Sequence, residues 1–148
     1  MNELDLAARL HTDQGRIDAL VEELSNHVRA DDRASALEAW TAMERALRAH
    51  LEAEDLHMIP LLEREAPEEA RALLAEHAEI RRQLANIGFG LDLQIVSEEV
   101  VARFAQNLRN HATREDNLLY LWAEMALDEG RKRSILGHLA RARRAQAA

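Results

Sequence analysis

Five glycines and two prolines are all the conformational punctuation available to this chain of 148 residues. A many-stranded sheet needs turn residues every ~8–12 positions, so that class of fold has little room here. Alanine, leucine, glutamate and arginine fill the intervals, and these lose little on entering a helix. The chain is expected to be all-α.

The breaks fall at Asp31-Asp32, at Pro67, at Gly88-Phe89-Gly90 and at Asp128-Glu129-Gly130. They mark off four long helices. The first runs from about Leu4 to Ala30 with an apolar stripe of Leu10, Ile17, Val21, Leu24 and Val28. The second, capped by Asp32 or Ser35, runs to about Glu65 and turns Leu37, Trp40, Met43, Leu47, Leu51, Met58 and Leu61 inwards, with Pro60 kinking or ending it. Pro67 opens the third, which carries Leu73, Leu74, Ile80, Leu84 and Ile87 and stops at the Gly88-Phe89-Gly90 break. Ser97 opens the fourth, with Val101, Phe104, Leu108, Leu118 and Leu119 on its inner face. Short connections favour antiparallel neighbours, hence one domain over 1–148: an up-down-up-down four-helix bundle over about 4–127 and a short, basic fifth helix over 131–148.

The formal net charge of −8 argues against nucleic acid as a partner, because phosphate contacts need a basic face. Arg131, Lys132, Arg133, Arg141, Arg143 and Arg144 crowd the tail, which reads as a solvated helix. There is no cysteine, which removes disulfides, thiolate metal sites and Fe–S clusters. No signal peptide and no apolar run of ~18 residues is visible, so a cytoplasmic protein with no membrane partner is expected.

Two segments carry the chemistry. HLEAEDLHMIP and HATREDNLLYL both read His-x-x-x-Glu-Asp, giving His50 with Glu54 and His111 with Glu115. Residues four apart lie on one face of a helix, so each pair can reach one ion. Both pairs lie in or beside the apolar stripe of their helix. Burying an imidazole and a carboxylate costs roughly several kcal/mol unless they are paired or ligated, and a metal supplies the compensation. The pattern also repeats upstream. Asp13-Gln14 precedes Ile17 and Val21 as Glu76-His77 precedes Ile80 and Leu84. The chain reads as two similar helix pairs, with His77 as the inward ligand of the second.

These residues resemble the hemerythrin-like HHE family: HLEAEDLHMIP is similar to its His-x-x-x-Glu-Glu…Pro signature, and EHAEIRRQL to its Glu-His helix. The likeness spans about Leu10 to Trp122. It implies a four-helix bundle with an oxo- or hydroxo-bridged di-iron centre that binds or senses oxygen, nitric oxide or peroxide, or handles iron. Carried over by residue, the ligands are His50, Glu54, His77, His111 and Glu115. Zinc or manganese are alternative occupants. Oxygen carriers of the family have a second His four residues from the third-helix ligand, where Leu73 and Arg81 stand here. The implied site is nearer the type with four His and two Glu that is associated with iron repair or sensing.

Two residues compete for the sixth place. The repeat sets Gln14 where a His is expected, while His11 lies a turn earlier. On a helical wheel Gln14 falls about 50° from its stripe and His11 about 110°. His57 also shares the face of Glu54, making the Glu-x-x-His pair of ferritin-like oxidases and peroxidases, but Leu118 holds the matching place in the second half. A ferritin-like enzyme and a metal-free helical interaction module are therefore the rival readings. Tyr120 and Trp122 read as core or rim.

Overall fold

The structure is a computed structural model that describes residues 5–147, so the expected start at Leu4 and the last tail residue, Ala148, lie outside it. Asp5 caps the first helix, accepting the Ala8 N–H, and α1 runs Leu6–Arg29. Asp31 reverses the chain at a positive φ of 56°, which Asp tolerates better than most residues. Asp32, rather than Ser35, caps α2 (Arg33–His57) by accepting the Ser35 N–H. A jog at Met58 separates α2 from α3 (Ile59–Glu65), whose first turn holds Pro60. Pro67 opens α4 (Pro67–Asp92), and Ser97 caps α5 (Glu98–Asn117). A second jog at Leu118 leads into α6 (Leu119–Ala126), and α7 spans Glu129–Ala147. The described residues contain no strand.

Several sequence expectations change. The third long helix does not stop at Gly88 and Gly90 but runs through both to Asp92. These glycines are packing residues: a Cβ on Gly88 would lie 2.4 Å from Trp40 Cζ2, and one on Gly90 would lie 2.6 Å from Val96 Cγ2. The fifth helix is not short, since its 19 residues nearly match the 20 of α5. It is not wholly solvated either. Lys132 is buried and donates to the Glu124 carbonyl and carboxylate, while Ile135 and Leu139 enter the core. Leu37, Leu74 and Leu118 are exposed. Leu73 takes the inward place beside Leu74, and the jog turns Leu118 out.

α1 packs against α2 and α5, and α4 packs against the same two, closing a ring of four helices; α7 lies on α2. Two apolar clusters fill the ring. One includes Ile17, Val21, Met43, Leu47, Ile80, Leu84 and Phe104. The other includes Leu6, Leu10, Met58, Ile59, Leu73, Leu119 and Ile135. Each large aliphatic side chain so buried contributes about 1.5–3 kcal/mol. Along all four ring helices the residues between these clusters are polar: Asp13 and Gln14, His50 and Glu54, His77, His111 and Glu115. The aliphatic layers on both sides are what allow the fold to bear a buried polar layer.

Candidate metal centre

The polar layer is assembled from one short segment of each ring helix. Four residues per turn-and-a-bit stacks His50 over Glu54 on α2 and His111 over Glu115 on α5, and α4 adds His77 between them. Ligand atoms of Glu54, His77, His111 and Glu115 all lie within 4.8 Å of one another, and all four residues are buried. His50, also buried, stands on the other side of Glu54, its Nε2 2.9 Å from Glu54 Oε2.

The two carboxylates divide their oxygens between two sets of partners. Glu54 Oε1 lies 3.1 Å from His77 Nε2, while its Oε2 faces His50 Nε2 and accepts from Tyr120 Oη at 2.6 Å. Glu115 Oε2 lies 3.0 Å from both His77 Nε2 and His111 Nε2. Its Oε1 accepts from Gln14 Nε2 at 3.0 Å and lies 3.1 Å from Tyr120 Oη. The result is an imidazole-rich half (His77, His111) and a mixed half (His50, Gln14, Tyr120), with one oxygen of each glutamate turned to each.

Every imidazole is oriented from behind. Nδ1 of His50 meets Asp13 Oδ2 at 2.8 Å, that of His77 meets Asp55 Oδ1 at 2.7 Å, and that of His111 meets Glu76 Oε1 at 2.6 Å. Each carboxylate has an arginine beside it: Arg16 for Asp13, Arg81 for Asp55 and Arg114 for Glu76. A carboxylate on one ring nitrogen fixes the tautomer and orientation of a histidine whose other nitrogen binds a metal. Arg81 holds the carboxylate that orients His77. In each case the carboxylate comes from the neighbouring helix: α1 to α2, α2 to α4, α4 to α5. Asp116 of α5 completes the circuit by meeting His11 Nδ1 of α1 at 3.1 Å, on the surface.

The donor set fits a cation. Gln14 Oε1, Glu54 Oε1 and His111 Nε2 are buried without a hydrogen-bond partner, although Glu54 Oε1 and His111 Nε2 each lie about 3 Å from an oppositely charged neighbour. Unsatisfied buried polar atoms are rare, and three on one cluster point to a missing positive centre. The electrostatics agree. Burial alone pulls His50 down, but the Glu54 charge and hydrogen bonds to Asp13 and Glu54 raise it to about 10. Burial likewise lowers His77, yet hydrogen bonds to Asp55 and Glu115 and the charge of Glu54 raise it to about 11. Burial and the charge of Glu54 push Glu115 up, while Glu54 itself, despite burial, is held well below the usual carboxylate range by His50.

His50, Glu54, His77, His111 and Glu115 thus meet in one layer, and Gln14 meets them there. His11 does not; its side chain is 72% exposed. His57 sits instead against His138 of α7, ring centroids 5.9 Å apart, so the Glu-x-x-His pair is not assembled at the cluster. Tyr120, expected in the core or rim, is the residue that sequence reasoning missed. In an unbroken helix it would lie about 140° round from Glu115. The jog at Leu118 re-aims it. Burial and the charges of Glu115 and Glu54 push its phenol well above its ordinary value. Asp13 and Glu76 were visible as the paired acids of the repeat, but not their task.

No curated protein matches the chain. A family model does: the hemerythrin HHE cation binding domain matches residues 5–123, a span that takes in every residue of the polar layer. With most of its length matched, and a buried His/Glu group able to hold a metal within that match, this chain belongs to the hemerythrin HHE cation-binding domain family.

Proposed function

We propose that the chain is a non-haem di-iron protein that binds or senses oxygen, nitric oxide or peroxide, or handles iron itself. The division of the Glu54 and Glu115 oxygens between two donor sets carries this reading, because a carboxylate bridging two ions presents its oxygens in that way. His77 and His111 would hold one ion; His50, with donors from Gln14 or Tyr120, would hold the other. Iron, when bound, supplies redox chemistry and affinity for small oxidants. The residues supply orientation, charge balance and a dry setting.

Access supports a small ligand. A cavity of about 280 Å³ between α1, α2 and α5 is lined by Ile17, Leu47, Leu51 and Leu108 and reaches His50, His111 and Glu115. Asp18, Arg109 and Asp116 line it too, and a small passage of mixed lining suits a diatomic molecule or peroxide. The ring of contacts and the short connections support an up-down-up-down order within a single domain. Among the described residues no helix is long and apolar enough to cross a membrane. Metal analysis and an absorption spectrum of protein from iron-supplemented cells test the proposal. Two irons per chain with an oxo-bridge band are expected; protein that takes up no iron overturns it.

A further inference from the structure

The mixed half lacks the imidazole that His77 gives the other half, yet it is not short of donors. Tyr120 Oη lies 2.6 Å from Glu54 Oε2, 3.1 Å from Glu115 Oε1 and 2.8 Å from His50 Nε2, and it accepts from Gln14 Nε2 at 2.8 Å. The oxygen therefore stands among all the groups that would surround the second ion. Its side chain is buried on the helix that the jog at Leu118 has turned, and no other tyrosine exists in the chain. An aromatic placed for packing alone would have been served by phenylalanine, which would leave these four polar groups without their shared partner.

We propose that Tyr120 is a metal ligand, supplying through its phenolate oxygen the place that Gln14 leaves without an imidazole. Tyr120 would coordinate as phenolate, an oxygen–metal bond replacing its O–H bond and the proton being released to the buffer. A phenolate with two carboxylates makes this position rich in hard anionic oxygen, which favours ferric iron. The position built on His77 and His111 is richer in nitrogen and suits ferrous iron or zinc. The inference rests on the di-iron reading and sharpens it to two chemically different positions.

The test uses the full chain, loaded anaerobically with ferrous iron and then oxidised in air. A phenolate-to-iron(III) charge-transfer band in the visible is expected, with resonance Raman lines that shift when the protein is made with ring-deuterated tyrosine. Since Tyr120 is the only tyrosine, that shift identifies it without a variant. Tyr120→Phe should abolish the band and lower iron content from two towards one per chain, with the helical circular dichroism retained. A parent protein that binds two irons but shows no tyrosine-sensitive lines overturns the ligation and leaves the di-iron reading standing. A parent that binds no iron overturns both.

Discussion

The two halves of the polar layer are built on similar segments and differ in chemistry. One offers His77 and His111, each oriented by a carboxylate. The other offers His50 with Asp13 behind it, and then an amide and a phenol in place of a second imidazole. The repeat explains where the substitution occurred. His77 pairs with Asp55, and the matching pair in the other half would be residue 14 with Asp116. With glutamine at 14, Asp116 takes His11 at the surface instead. A repeated scaffold can thus keep two glutamates that face both halves while one half has different donors.

Removing what the halves share should have the largest effect. Glu54→Ala deletes both an oxygen facing His77 and one facing His50 and Tyr120, so both ions should be lost, a fall in affinity well beyond the roughly 10–100-fold seen when a supporting group is removed. The aliphatic clusters remain, so the apo helical signal should persist. Metal analysis beside circular dichroism decides; iron retained at two per chain would end the bridging assignment.

Next in size is pH. His50 and His77 are raised to about 10 and 11 in the metal-free fold, against about 6.5 unfolded. Their charged forms therefore stabilise the apo protein fully below about pH 6.5, and that contribution fades as pH climbs through 10–11. A metal must displace these protons, so affinity should rise by roughly tenfold per pH unit for each proton released between pH 6 and 9. Zinc titrations at three pH values measure this; an affinity flat across that range would remove histidine from both halves.

A substitution that makes the halves alike comes third. Gln14→His restores the imidazole of the repeat and competes for Asp116, so zinc or ferrous affinity at the mixed position should tighten roughly tenfold, on the scale at which histidine-supporting groups act. His11→Ala should leave both positions unchanged. Loss of an ion in His11→Ala would show that the surface histidine swings inwards. The smallest effect is expected at Gly15, which the repeat aligns with Ala78. A Cβ there meets nothing within 4 Å, so Gly15→Ala should stabilise α1 by about 0.5–1 kcal/mol, read as a higher melting temperature. A lower one would mean that this stretch of α1 needs the freedom of glycine.

Much of this comparison was legible in the sequence, and the exceptions have physical causes. Two His-x-x-x-Glu pairs and a third-helix His are readable because helical spacing fixes which side chains share a face. Asp13 and Glu76 could be seen as paired, but their partners lie on other helices, and spacing within a helix says nothing about its neighbour. The two jogs show the limit most clearly. Pro60 announces the one at Met58, since its ring clashes with the preceding turn and it cannot donate. Nothing at Asn117-Leu118 announces the other, and so Tyr120 was hidden. Gly88 and Gly90 misled in the opposite direction, because a glycine kept for close approach looks the same on paper as one kept for a stop.

The hand-over of carboxylates from each ring helix to the next bears on when in its life the protein can acquire a metal. A nascent chain that has built only α1 and α2 has His50 and its Asp13, but Asp55 has no imidazole to hold and the second glutamate is still unmade. Nor can an isolated second pair orient anything but His111. The full set exists only where all four ring helices are docked, so the centre belongs to the finished fold and not to any one helix pair. A metal ion met before that stage would find scattered donors rather than an assembled group.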